Sequence, residues 1–249
     1  MRTTIPIGGR SRRSSDPTNG SRLFGMRAMQ RLKRSRVNAG ATWTGAALSS
    51  AAIHRWSAML LEGRNVFLTG GSRGIGRHAV IELVRYGANV AFTYVRNEEA
   101  AAETKKLANE VRPEADVRFY QLNVTDSKQV EQVAAKAISD FESINVVVNN
   151  AGNLNDALVA NMTDEQWFDV INTHLTGTFY VCREFINEFL FNKGGKFINT
   201  SSITYTGSAG QANYSAAKAG VIGFSRALAK EWGKKGIYTN VVVPGYYDT

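Results

Sequence analysis

From Asn65 to Val243 the chain alternates between two apolar periods. Short continuous apolar runs read as strands buried on both faces: NVFLT from Asn65, NVAFTY from Asn89, VRFYQL from Val117, INVVVN from Ile144, KFINT from Lys196 and YTNVVV from Tyr238. Between them lie stripes of helical period: Gly74 to Tyr86, Glu98 to Val111, Ser127 to Phe141, a long helix from Asp164 to Phe191, and a helix after Tyr214. In the third of these, Val130, Val133, Ala134, Ala137, Ile138 and Phe141 recur at the 3.6-residue spacing, while Thr163 with Gln166 forms a capping box ahead of Trp167 and Phe168. Strand and helix in strict alternation require right-handed crossovers, hence an α/β fold with a doubly wound parallel sheet in a single domain. No tandem repeat beyond this alternation is present.

Composition changes the picture mainly at the start of the chain. At 249 residues, 43% hydrophobic and 20% charged, the protein is long enough for one sizeable core, and its net charge is +9. Residues 1 to 60 carry eleven Arg and Lys against Asp16 alone, so the rest is close to neutral and the folded part is not a nucleic-acid binder. Rich in Arg, Ser and Gly with no sustained apolar period, residues 1 to 60 read as a disordered basic leader. An organelle transit peptide has the same composition, and Met59, where ordered composition begins, is an alternative start. The stretch from Val37 to Ile53 is too short and polar to span a membrane. The single cysteine, Cys182, lies in a helical pattern beside Val181 and Phe185 and reads as packing in a reducing compartment. These features place the protein in the cytoplasm, or in an organelle matrix if the leader is a transit peptide.

The candidate chemistry gathers in two places. Tyr214 and Lys218 stand four apart where an Ala-rich helix begins, so they share a face. An ammonium beside a phenol, whose ordinary pKa is ~10, favours the phenolate and brings a proton-transfer group toward working pH. The hydroxyls of Ser201 and Ser202, at the end of an apolar strand, are placed to hydrogen-bond a carbonyl that the phenol polarises. After the first strand, Thr69-Gly-Gly-Ser-Arg-Gly-Ile-Gly76 leads into a helix, with glycines at 70, 74 and 76 suited to a tight turn and to close approach of backbone N–H groups to a pyrophosphate. In the first βα turn of an alternating chain this is a Rossmann-type signature. The second strand ends in Tyr94-Val95-Arg96-Asn97 with no acidic residue for a ribose hydroxyl. Arg73 and Arg96 therefore point to a 2′-phosphate, hence NADP.

With TGGSRGIG, NNAG from Asn149 to Gly152, AGNLNDALVANMTDEQW, GQANYSAAKAGVIGFSRALAKEW and VVVPGYYDT, the chain resembles the short-chain dehydrogenase/reductases, closest to the 3-oxoacyl-ACP reductases and acetoacetyl-CoA reductases. The resemblance runs from about Leu61 to Thr249 and marks residues 61 to 249 as the NADP-binding domain. It implies NADPH-dependent reduction of a 3-oxoacyl thioester. The alternatives are another carbonyl or alcohol substrate of the same enzyme class, or a non-catalytic dinucleotide-binding subunit. By resemblance, Tyr214 is the proton donor and Lys218 binds the nicotinamide ribose and lowers the tyrosine's pKa. Gly70, Ser72, Arg73, Gly74, Ile75, Gly76, Arg96, Asn123, Val124, Asn150, Ala151, Gly152, Pro244 and Gly245 line the cofactor. No metal is implied. Expected partners are an acyl thioester and an acyl-carrier protein, with basic Lys193 and Lys235 at the active-site rim, and a homotetramer for the full-length protein.

Four positions depart from the family pattern. Family spacing, thirteen residues before the tyrosine, points to Ser201, whereas the Asn-x-Ser-Ser strand ending points to Ser202; strand register favours Ser202 as the catalytic serine. His174 occupies the place of the family's active-site asparagine and is expected to hold a water or a carbonyl there. Asn123 replaces an aspartate near the adenine, where its amide oxygen is expected to accept the amino group. The family continues past the Pro-Gly turn with a substrate-covering helical segment and a seventh strand, so this domain is expected to be C-terminally truncated, lacking the last strand, and prone to aggregate.

Overall fold

The computed structural model describes residues 60–245, and in it each apolar run is a strand. These are β1 (Asn65–Leu68), β2 (Asn89–Tyr94), β3 (Val117–Gln121), β4 (Val146–Asn149), β5 (Gly195–Thr200) and β6 (Ile237–Val242). They form one sheet in the order β3-β2-β1-β4-β5-β6, with every neighbouring pair parallel. The chain builds outward from β1 in one direction through β2 and β3, then returns to pair β4 with the other side of β1. That reversal opens a crevice beyond the carboxyl ends of β1 and β4, the place where doubly wound sheets take their ligands.

Alternation along each strand builds two cores. Phe67, Ala91, Val147 and Phe197 face α3 (Ser127–Phe141) and α5 (Gly177–Phe191), where Phe67 meets Phe185 with ring centroids 4.9 Å apart and Phe197 meets Phe189 at 4.8 Å. Leu228 of α6 (Ala212–Trp232) joins the same core. Val66, Leu68, Val90 and Phe92 point the other way, onto Val80 and Val84 of α1 (Gly74–Arg85) and Ala101 and Ala108 of α2 (Glu98–Val111). The two-residue period of a strand thus fills both faces, as the continuous apolar runs require.

Helix starts follow local chemistry. Asn97 caps α2 by accepting from the Ala100 N–H at 2.7 Å, Asp126 caps α3, and the Thr163–Gln166 capping box opens α4 (Asp164–Ile171). The helix expected to run unbroken from Asp164 to Phe191 does not. A π-helical turn, Asn172–Thr176, separates α4 from α5, and His174 lies in it. One extra residue per turn shifts the face presented on either side, which is how such turns come to sit at functional sites.

Among the described residues β3 and β6 are the sheet edges, and Tyr238, Asn240 and Val242 of β6 are exposed. The basic leader lies, Leu60 apart, outside the described residues.

Candidate active site

The crevice is bordered on one side by the loop from Thr69 to Arg73. Gly70 and Gly74 hold φ of 72° and 53°, left-handed values that favour glycine. A Cβ at Gly76 would overlap the Gly70 carbonyl oxygen, and one at Gly70 would stand 2.9 Å from Ala151 Cα. Arg73 at the N-cap offers α1 no side-chain cap, and the first turn carries no acidic residue, so the amides there are left for an outside acceptor. A dinucleotide's pyrophosphate fits this cradle. The loop is tied to its neighbours at several points: Gly70 N donates to Thr93 Oγ1 at 3.2 Å and Gly71 N to the Thr93 carbonyl at 2.8 Å. Asn150 Nδ2 donates to the Thr69 and Gly70 carbonyls at 3.1 and 3.0 Å, while the Asn150 and Ala151 N–H groups both donate to Thr69 Oγ1 at 3.0 Å. Asn150 therefore holds the two borders of the crevice together.

Arg73 on this loop and Arg96 after β2 are exposed and enter no ion pair among the described residues. Ser72 is half-buried and Ile75 exposed, on the same loop. Carboxylates are nearer than the strand ending suggests. Glu98 and Glu99 open α2, and after burial their charges push the Tyr94 hydroxyl above its ordinary value. Val124 is buried against Gly177 of α5. The Asn123 oxygen, expected to be an acceptor for the adenine, already accepts from Thr125 N at 3.1 Å and Thr125 Oγ1 at 3.0 Å, which leaves the amide nitrogen as the spare group.

At the ends of β4 and β5 the structure brings Ser202, Tyr214, Lys218 and His174 together. Ser201 is 2% exposed, and its hydroxyl donates to the Lys218 carbonyl at 2.9 Å, inside the core. Ser202, next along the strand end, faces the opposite way, toward Tyr214, and its hydroxyl accepts from Thr204 Oγ1 at 3.0 Å. Pro244 sits beside this corner, its carbonyl accepting from Ile203 N at 3.0 Å, with Gly245 next to it.

Lys218 is 4% exposed and lies with Nζ 5.4 Å from the Tyr214 ring centroid. It donates to the Thr200 carbonyl at 2.7 Å, and burial pulls its pKa down to about 8. The expected lowering of the Tyr214 pKa by Lys218 is absent from this arrangement. Burial raises the tyrosine above its ordinary value, the neighbouring Ser202 hydroxyl opposes that, and Asp156 adds to it. The ammonium is committed to a backbone carbonyl rather than to the phenol oxygen.

His174 is buried edge-on to Tyr214, with ring centroids 5.0 Å apart and planes at 89°. Its Nε2 lies 2.8 Å from the Asn153 carbonyl and 3.2 Å from the Asn153 N–H, and its Nδ1 is buried without a partner. Burial first, then the Lys218 charge, pushes its pKa down to about 3, against a smaller opposing contribution from Asn153. The imidazole is therefore neutral across the physiological range and acts as a fixed hydrogen-bonding group rather than an acid. A Cβ at Gly152 would overlap its Cε1.

Several contributors carry no motif of their own in the sequence. Asn213, fully buried just before Tyr214, donates to the Asn155 and Gln166 carbonyls at 2.9 and 3.0 Å. Asp169 accepts from Asn153 Nδ2 at 2.7 Å, fixing the residue that holds His174. Under the site, Asn149 Nδ2 donates to Asn199 Oδ1 at 2.9 Å and to Cys182 Sγ at 3.3 Å, so the cysteine is part of a buried polar chain and not apolar packing alone. Lys193 and Lys235 are misplaced by expectation. They precede β5 and β6, whereas Ser202 and Tyr214 lie past the opposite ends, about 20 Å away at ~3.3 Å per strand residue, so within one chain they do not rim the site.

A family model described as short chain dehydrogenase matches residues 64–249. The chain belongs to the short-chain dehydrogenase family. Membership makes it an oxidoreductase of a family that binds a nicotinamide dinucleotide. It is 39% identical over 191 residues to a 3-oxoacyl-[acyl-carrier-protein] reductase, FabG, of Chlamydia trachomatis, covering 76% of each chain. Against the FabG of Escherichia coli strain K12 it is 39% identical over 192 residues, covering 77% of this chain and 76% of the other. A solved structure titled a putative short-chain alcohol dehydrogenase from Sinorhizobium meliloti 1021 matches with a TM-score of 0.73 and 31% identity, covering 77% of this chain and 75% of that one. No helix among the described residues of this family member is long and apolar enough to cross a membrane.

Proposed function

We propose that this protein is an NADPH-dependent reductase of a 3-oxoacyl thioester. The observation that carries the chemistry is Tyr214 gathered with Ser202, His174 and a buried Lys218, whose Nζ lies 5.4 Å from the tyrosine ring centroid while the His174 ring stands edge-on at 5.0 Å. Bound NADPH supplies the hydride. The Ser202 and Tyr214 hydroxyls hydrogen-bond the substrate ketone oxygen, and Tyr214 hands that oxygen its proton as the alkoxide forms. A phenol held above its ordinary pKa stays protonated at neutral pH, as a proton donor must. Lys218 is fixed by the Thr200 carbonyl, and its remaining N–H groups bind the ribose and lead to water. His174, neutral and anchored on Asn153, orders the wall next to the ring.

Arg73 and Arg96, which enter no ion pair among the described residues, favour the 2′-phosphate of NADPH over NADH by at least about tenfold, or ~1.4 kcal/mol. The thioester reading is supported by the names of the relatives at 39% identity. An acyl-carrier protein as carrier, a homotetramer, and a cytoplasmic or organelle-matrix location belong to the same proposal.

The test is NADPH consumption with 3-oxoacyl thioesters of coenzyme A and of an acyl-carrier protein, beside a sugar, a steroid and a quinone carbonyl. Turnover of the thioesters well above the others is expected. Preferred turnover of another carbonyl reassigns the substrate, and NADPH binding without any turnover makes the chain a binding subunit.

A further inference from the structure

Arg77 stands directly after the last glycine of the loop, in the first turn of α1. Its guanidinium is spent on uncharged acceptors. Nη2 donates to the Ser72 carbonyl at 2.8 Å and to the Ala100 carbonyl at 3.2 Å, and Nε donates to Ser72 O at 3.2 Å and Thr104 Oγ1 at 3.0 Å. The buried Thr104 hydroxyl reaches the same two carbonyls, at 3.2 Å for Ser72 and 3.0 Å for Ala100. Among the described residues Arg77 enters no ion pair, so its charge is not neutralised by a neighbouring carboxylate.

Two consequences follow from this placement. In a trans peptide the C=O and the N–H point to opposite sides, and no cis bond occurs among the described residues. Anchoring Ser72 O between α1 and α2 therefore aims the Arg73 N–H away from α2, and sets the backbone from which the Arg73 side chain leaves. Ala100 lies in the first turn of α2, whose cap, Asn97, follows Arg96. The same guanidinium thus joins the glycine loop that carries Arg73 to the corner that carries Arg96.

We propose that Arg77 is a positioning residue for nucleotide selectivity: it holds the glycine loop and the β2–α2 corner in register, so that Arg73 and Arg96 meet a 2′-phosphate together. This rests on the NADPH reading above. A merely structural Arg77 would change the melting temperature and leave the selectivity of the folded protein alone.

The experiment is calorimetric titration of the full chain with 2′,5′-ADP and with ADP, which differ only in the 2′-phosphate. The wild type, Arg77→Ala, Arg77→Lys and Thr104→Val are compared. In the wild type 2′,5′-ADP is expected to bind at least about tenfold more tightly. Arg77→Ala lowers that ratio about tenfold, and Thr104→Val, nearly isosteric and lacking the bridging hydroxyl, about threefold. Arg77→Lys, which keeps the charge and up to three donors, restores part of the loss. A wild type without preference defeats the NADPH reading, and this proposal with it. A wild type with the preference, retained in both Arg77→Ala and Thr104→Val, overturns the proposal and leaves the NADPH reading standing. If Arg77→Ala does not fold, an unchanged ratio in Thr104→Val overturns it.

Discussion

Replacing Lys218 by Met tests whether the site holds a cation at a cost to the fold. Lys218 is 4% exposed, and burial lowers its pKa from 10.5 to about 8. The unfolded chain restores the ordinary value. Below pH ~8 both states keep the proton, and the folded state bears the full cost of the buried ammonium: the fall from 10.5 to about 8, at ~1.36 kcal/mol per pH unit, is roughly 3 kcal/mol. Between about pH 8 and 10.5 the folded protein releases the proton while the unfolded chain holds it, so stability rises with pH. Above that window both states are neutral and the penalty is gone. Met has similar length and no charge, so the variant lacks this term at every pH. It also removes the 2.7 Å donor from the Thr200 carbonyl, a pH-independent loss of about 1–3 kcal/mol. The two effects oppose each other near neutrality. Urea unfolding of both proteins, in steps from about pH 7 to 10.5, should show the wild type gaining roughly 3 kcal/mol on the variant, with other titrations cancelling in the difference. A difference that stays flat with pH would refute the claim that Lys218 is held charged against its surroundings.

The two serines separate chemistry from packing: Ser202→Ala should lower kcat by about a hundredfold, whereas Ser201→Ala should cost about 1 kcal/mol of stability through the lost bond to Lys218 O and largely spare kcat. An equal kcat loss at Ser201 would mean the strand end presents the other hydroxyl. Gly76→Ala drives a Cβ into the Gly70 carbonyl, so dinucleotide binding should fall below detection in a calorimetric titration; retained affinity would show that the loop yields. The pH profile of reduction should decline as pH rises through about 8, where Lys218 loses a proton it needs to bind the ribose and lead to water, with no inflection from His174 between about pH 5 and 8. An inflection near pH 6.5 that His174→Asn abolishes would place a titrating imidazole in the reaction.

The strands, their parallel alternation and the glycine loop were legible because each depends on local pattern. Val66, Phe67 and Leu68 must face two cores in turn, and Gly76 has no room for a side chain. The four residues Ser202, Tyr214, Lys218 and His174 were named from spacing and family resemblance, and the fold brings them together. What stayed hidden depends on where a shared atom goes. Nothing in the run from Asp164 to Phe191 signals the π turn at His174, since one extra residue in a turn leaves the apolar stripe nearly intact. The spacing of Tyr214 and Lys218 implied an ammonium aimed at the phenol, but the Thr200 carbonyl, from another element, takes it. The Asn123 oxygen is consumed by its own turn for the same kind of reason. Lys193 and Lys235 match a family pattern in sequence, yet strand direction puts them at the far end of the sheet.

The measurement closest to the central claim compares wild type and Tyr214→Phe for NADPH binding and for turnover of a 3-oxoacyl thioester. Only one oxygen is removed, and the ring keeps its edge-to-face packing against His174. NADPH affinity should stay within about threefold, while turnover should fall by about a thousandfold, the scale of a lost general acid. Near-normal turnover in Tyr214→Phe would contradict the account, because the phenol hydroxyl is the proton donor it assigns.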